Sequence, residues 1–162
     1  MLYYSKMSAK VLFADARVSQ LSLPAPTTVA PSAPLSNAIE AMKKGGRGCL
    51  LICDGPRLVG IFTERDLLNR VLGKELPLTR PIEQAMTHDP VTLAEDVFLV
   101  HVVDRMDEKG FRYIPLVDRG TGSVKGLVSA LEVITYLAEH FPAEVYNLPP
   151  RLDQRSHTSE GG

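Results

Sequence analysis

The chain has 162 residues, 44% of them hydrophobic, and a formal net charge of −1. That is enough apolar material for one core or two small packed ones, and too little basic charge for a surface that tracks nucleic acid. No apolar run approaches the roughly 18 residues of a membrane span, and Val11-Leu12-Phe13 is too short for a signal-peptide core. Two cysteines, Cys49 and Cys53, make no disulfide framework, so a cytoplasmic setting without membrane or nucleic-acid partners is expected.

Residues 1–23 lack a clear period and read as a leader, forming a short element or lying loose. Pro24, Pro26, Pro31 and Pro34 mark an extended stretch in which Thr27-Thr28-Val29 fits a short strand. Leu35, Ala38, Ile39 and Met42 fall at i, i+3, i+4 and i+7, the spacing of an amphipathic helix, and Gly45-Gly46 ends it. Residues 49–53 form an apolar run of strand length, Asp54-Gly55-Pro56 signals a turn, and residues 58–62 give the next strand. Thr63 then opens a helix carrying Leu67, Leu68, Val71 and Leu72.

After a polar linker at residues 74–81 the order recurs. Pro90-Val91-Thr92-Leu93 reads as the short strand, and Leu99, Val102, Val103 and Met106 as the helix, stopped by Gly110. Residues 113–117 and 124–128 are strands around a turn at 118–122, and Ser129 opens a helix carrying Leu131, Ile134 and Leu137. Met42 and Met106, Gly46 and Gly110, and Asp54 and Asp118 are each 64 positions apart. Gly60 and Gly126, and Thr63 and Ser129, are 66 apart, because the second turn is two residues longer. The chain is therefore an internal repeat of a β-α-β-β-α unit, an α+β fold whose halves pack together because each alone buries little surface. The organisation expected is a leader (1–23), a first unit (24–73), a linker (74–81), a second unit (82–140) and an extended, partly disordered tail (141–162).

The most marked duplication joins a strand to a helix: Gly60-Ile-Phe-Thr-Glu-Arg-Asp66 and Gly126-Leu-Val-Ser-Ala-Leu-Glu132. Thr63 with Asp66, and Ser129 with Glu132, fit a capping box in which hydroxyl and acid satisfy each other's backbone amides. The same geometry suits a nucleoside phosphate. A helix start offers free amides and a positive dipole end to phosphate. A glycine lets a ligand approach the backbone, and an ionised aspartate can accept both hydroxyls of a ribose. The two readings are compatible.

This repeat resembles a pair of cystathionine-β-synthase (CBS) domains, the Bateman module. The residues that carry the likeness are Gly60-Ile-Phe-Thr-Glu-Arg-Asp-Leu-Leu68 in the first half, and Arg112-Tyr-Ile-Pro-Leu-Val-Asp118 with Gly126-Leu-Val-Ser129 in the second. The likeness covers residues 27–138 and implies two units stacked by their sheets in pseudo-two-fold symmetry, with a cleft for an adenosine-containing ligand. It also implies association of two modules into a flat, disc-like homodimer. The family's acidic ribose ligand maps to Asp66 and its hydroxyl neighbour to Thr63, with Glu132 and Ser129 in the second half. Backbone around Ile114 and Pro115 would meet the adenine, and Arg112 stands where the family has a basic residue near phosphate. Two departures stand out: Leu51 replaces the proline found at Pro115, and Glu132 replaces the usual aspartate.

Arg65 and Arg112 are thus phosphate candidates, or else solvated surface charges. Cys49 and Cys53 share a strand face and read as packing rather than metal or redox ligands. His88, His101, His140 and His157 show no metal spacing, and Asp104, Asp107 and Glu108 read as the wet face of a helix. The expected function is a regulatory sensor that binds AMP, ADP or ATP, with NAD and S-adenosylmethionine left open, and needs no other cofactor. With no nucleophile–base pair or metal cluster in view, and no separate catalytic or DNA-binding segment, its output is expected in trans, through self-association or an unidentified protein target. The rivals are a structural dimerisation module with empty clefts and, last, an enzyme in the same fold.

Overall fold

The computed structural model describes residues 9–141, and within them the repeat appears element by element. A short helix α1 (Ala9–Leu12) and a 3-10 turn at Val18–Gln20 come first. The first unit follows: β1 (Thr28–Val29), α2 (Leu35–Gly45), β2 (Cys49–Asp54), β3 (Arg57–Thr63) and α3 (Glu64–Asp66), which runs on into a π-helical stretch, Leu67–Leu72. The second unit has a 3-10 turn at Ile82–Gln84, β4 (Thr87–His88), β5 (Leu93–Ala94), α4 (Leu99–Lys109), β6 (Tyr113–Val117), β7 (Val124–Ser129) and α5 (Ala130–His140). The strands form two sheets, ordered β1-β2-β3-β4 and β5-β6-β7. Helices α2 and α4 end where they should, at Gly46 and Gly110, whose φ of 66° and 68° put the caps in the left-handed region open to glycine. The expected tail lies outside the described residues except for Phe141.

Alternation along the strands explains how the halves stack. On β2, Leu50 and Ile52 point to α2 and join Leu35, Ala38, Met42 and Phe62 in the first core. Cys49 and Leu51 point the other way and meet Ile61, Leu127 and Tyr113 in a shared core between the sheets. The hairpin tips are also knitted together, with Leu58 N–H donating to Gly122 O at 3.2 Å and Val124 N–H to Pro56 O at 3.2 Å.

The leader is part of the second core. Phe13, Ala16 and Val18 are buried there beside Leu99, Val102, Ile114 and Tyr136. Val18 N–H donates to Val97 O at 3.0 Å and Leu99 N–H to Ala16 O at 2.7 Å. With one partner shifted up and the other down by 64 positions, the same bonds recur: Ile82 N–H to Ala33 O and Leu35 N–H to Arg80 O, both 2.8 Å. Each unit's core is therefore completed by the segment that precedes the other unit, which ties the halves together as threading rather than as contact alone.

Three local expectations are corrected. The strand expected at residues 90–93 shrinks to Leu93–Ala94. Leu51 N–H donates to Thr27 O at 3.0 Å in the first half; its counterpart Pro115 has no N–H, so the chain at Pro90-Val91 is released and Val91 is 40% exposed. The apolar face of α5 is not the expected one, since Val133 and Tyr136 are buried while Leu131 and Ile134 are 68% and 60% exposed. Leu68 and Leu72 are likewise exposed, leaving Val71, with Leu67 partly buried beside it, to face the core. Both final helices thus carry a second, unburied apolar face.

Candidate functional site: a cleft between the repeats

The capping boxes are real. Thr63 N–H donates to Asp66 Oδ2 at 2.9 Å, Thr63 Oγ1 donates to the same oxygen at 3.1 Å, and Asp66 N–H reaches Thr63 Oγ1 at 3.4 Å. Ser129 N–H donates to Glu132 Oε2 at 2.6 Å, and the Ser129 hydroxyl donates to that oxygen too. This corrects the expectation of free helix-start amides. Glu64 N–H donates to Gly48 O at 3.1 Å and Ala130 N–H to Arg112 O at 2.9 Å, so both helix starts are largely spoken for. The glycines do not bring a ligand to the backbone either. A Cβ on Gly60 would lie 2.3 Å from Met86 Sδ in the core, and one on Gly126 would make ordinary 3.6 Å contacts with Leu116 and Leu23.

Asp66 nevertheless lies beside open space. It is 8% exposed and borders a cleft of about 720 Å³ lined by both repeats. Thr63, Glu64, Arg65, Asp66, Leu68 and Arg70 come from the first unit, and Phe111, Arg112, Tyr113 and Pro115 from the second. Released Pro90 and Val91 form part of the rim. Asp66 Oδ2 is engaged in the cap, but among the described residues Oδ1 has only long contacts, to Thr87 Oγ1 and Arg70 Nε, both at 3.4 Å. Those are weak bonds, so Oδ1 retains acceptor capacity. Arg65 and Arg112 are exposed, and Ile61, Tyr113 and Pro115 supply an apolar wall. Burial, and then the charge of Glu64, push the Tyr113 hydroxyl up from its ordinary value.

Five of the residues singled out from sequence thus meet in one cleft: Thr63, Arg65, Asp66, Arg112 and Pro115. Ile114 contributes no side chain to it, being fully buried in the second core. Leu51, which stands in the first half where the second has Pro115, lies in the core between the sheets; the residue of that position at this cleft is Pro115, because the cleft combines the first unit's helix with the second unit's strand. Ser129 and Glu132 stand apart. Glu132 borders a groove of about 290 Å³ formed with residues of the leader, and its Oε1 receives Arg47 Nη2 at 2.8 Å. Arg47 was not apparent from sequence, although it stands 64 positions before Phe111. Arg70 was signalled only by its i, i+4 spacing from Asp66. Among the described residues no three His, Cys, Asp or Glu side chains gather to hold a metal, and no helix is long and apolar enough to cross a membrane.

Comparison with known proteins identifies the fold. The CBS domain model matches residues 18–73 and 82–139. An uncharacterized 17.7 kDa protein of Acidianus ambivalens is 30% identical over 124 residues, covering 76% of this chain and 74% of that one. The chain spans only 19% of the length of the longer Arabidopsis thaliana CBS domain-containing proteins it matches. The CBS domain pair of protein MJ0100, solved with 5′-methylthioadenosine and S-adenosyl-L-methionine, superposes with a TM-score of 0.67 at 27% identity, covering 76% of this chain and 95% of that one. CBSX2, solved with AMP, shares the fold at 23% identity and a TM-score of 0.67, covering 77% of this chain and 98% of that one.

Proposed function

This chain belongs to the CBS domain family, and on that premise we propose that it is a regulatory module binding an adenosine-containing ligand in the cleft beside Asp66. The observation that carries the reading is the meeting of Asp66 and Thr63 from one repeat with Arg112, Tyr113 and Pro115 from the other, across about 720 Å³. That volume lies within the usual range for small-molecule sites. Asp66 Oδ1 accepts ribose hydroxyls in place of its two 3.4 Å contacts. Ile61, Tyr113 and Pro115 flank the base, and Arg65 and Arg112 face the phosphate or its cationic substitute. The adenosyl compounds held by the MJ0100 domain pair support that ligand class. A ligand in such a cleft touches both repeats at once and favours one relative placement of them, which is how binding becomes a signal.

The output is self-association, or contact with a protein target in the cytoplasm. Leu68, Leu72, Leu131 and Ile134 leave apolar surface on the last helix of each unit, which a second copy of the chain covers in a homodimer. Thermal unfolding across a panel of AMP, ADP, ATP and S-adenosylmethionine tests the ligand reading. At 100 times Kd the stabilisation is about 2.7 kcal/mol. A midpoint flat across millimolar levels of the whole panel, in ligand-free protein, refutes it and leaves a structural module.

A further inference from the structure

The repeat builds two related grooves, and the side chains around them differ in a consistent direction. Position 111 in the open cleft is a phenylalanine, 36% exposed; its counterpart by the 64-residue offset is Arg47. Arg47 Nη2 lies 2.8 Å from Glu132 Oε1, and each side chain is only 13% exposed. The remaining oxygen of Glu132 is taken by the amide and hydroxyl of Ser129. Both oxygens of the second acid are therefore committed, whereas Asp66 keeps Oδ1 with no partner among the described residues closer than 3.4 Å. The extra methylene of glutamate allows this double engagement: one oxygen caps the helix while the other crosses to the first repeat.

Four further features agree. The position of Arg112 is held in the first half by Gly48, where a Cβ would meet the Glu64 carboxyl at 2.6 Å and the Tyr113 hydroxyl at 2.9 Å. The first half therefore carries no counterpart of the Arg112 cation at this position. Leu51 N–H keeps its strand neighbour paired through Thr27 O, so this rim is not released as Pro90-Val91 is. The groove left beside Glu132 has about 290 Å³ and takes none of its lining from residues 46–51. Arg47 Nη1 is enclosed with no hydrogen-bond partner among the described residues, so the ion pair with Glu132 is what holds the guanidinium in place.

We infer that Arg47 is a built-in occupant of the second cleft: its ion pair with Glu132 shuts that cleft, and each chain takes one nucleotide, at Asp66. The stoichiometry rests on the nucleotide-binding reading above; the closure does not. Calorimetric titration with AMP should give one equivalent per chain for the natural sequence and two for Arg47→Ala. Two equivalents in the natural protein, or one in Arg47→Ala, would overturn the inference.

A second measurement needs no nucleotide. Cys49 lies two residues from Arg47, is 1% exposed and feels the guanidinium's charge. In a Cys53→Ser background, labelling of Cys49 by a thiol reagent should be at least about fivefold faster in Arg47→Ala, through easier opening. Loss of the cation by itself raises the thiol pKa and slows the reaction, so acceleration reports access. Arg17→Ala removes a cation elsewhere, beside Phe98, and should leave the rate unchanged. Labelling unchanged or slowed in Arg47→Ala, or accelerated equally by Arg17→Ala, would sink the closure. If AMP binds nowhere while Arg47→Ala opens Cys49, the nucleotide reading falls and the closure stands.

Discussion

Exchanging Asp66 and Glu132 in turn for alanine should separate a binding acid from a structural one. Asp66 is 8% exposed and its Oδ1 is the acceptor left for a ribose. A hydrogen bond to a charged group is worth about 1.5–3 kcal/mol. Since 1.4 kcal/mol is about tenfold in Kd, losing even one such bond should weaken AMP at least tenfold. Glu132→Ala should leave AMP affinity within about threefold, because Glu132 does not border the open cleft. It should instead cost stability, by leaving Arg47 enclosed without its partner and Ser129 without its cap. Removing one partner of a buried pair costs about 3–5 kcal/mol. With both side chains 13% exposed, the low end applies, about 3 kcal/mol. For a chain of this size that lowers Tm by about 6–12 °C. Asp66→Asn, which keeps the shape and a single acceptor, guards against reading lost folding as lost binding. Calorimetry and thermal unfolding on the three variants decide the matter. If Glu132→Ala abolishes AMP binding while Asp66→Ala preserves it, the working site has been assigned to the wrong repeat.

Other consequences are equally concrete. Light scattering should give about twice the 17.7 kDa chain mass, and Leu131→Glu with Ile134→Glu should return it to the monomer value; a natural protein that scatters as 17.7 kDa with and without nucleotide contradicts the dimer. Gly60→Ala forces a Cβ to within 2.3 Å of Met86 Sδ, so it should destabilise by about 1–3 kcal/mol through overpacking in denaturant titration, and leave AMP affinity intact in the folded protein. Asp118 Oδ1 accepts Thr121 N–H at 2.9 Å, Thr121 Oγ1 at 3.0 Å and Gly120 N–H at 3.0 Å, and these bonds, Thr121 first, hold its pKa below the ordinary value. A depressed folded pKa means the turn's contribution is present above the unfolded value and is lost as pH falls through the folded one. Carboxyl NMR titration should therefore find Asp118 titrating below an unfolded-peptide reference, and a midpoint at or above that reference would contradict the turn.

The sequence by itself determined the repeat, because helix and strand periods, glycine caps and turn residues are local and recur 64 to 66 positions apart. It also determined the two capping boxes and pointed to Thr63, Arg65, Asp66, Arg112 and Pro115, which the structure gathers in part of the lining of one cleft. What it could not determine is where the halves cross. The leader's Phe13 and Val18 fill the second core rather than the first, a long-range choice that no window of sequence records. An apolar residue on a helix face reads the same whether that face is buried, like Val133, or open, like Leu131. The same limit hid Arg47. Its meaning comes from Glu132, 85 residues away, and an ion pair across two repeats exists only once their sheets have stacked. Local chemistry wrote two similar capping boxes into the chain; tertiary packing set one beside an open cleft and paired the acid of the other with Arg47.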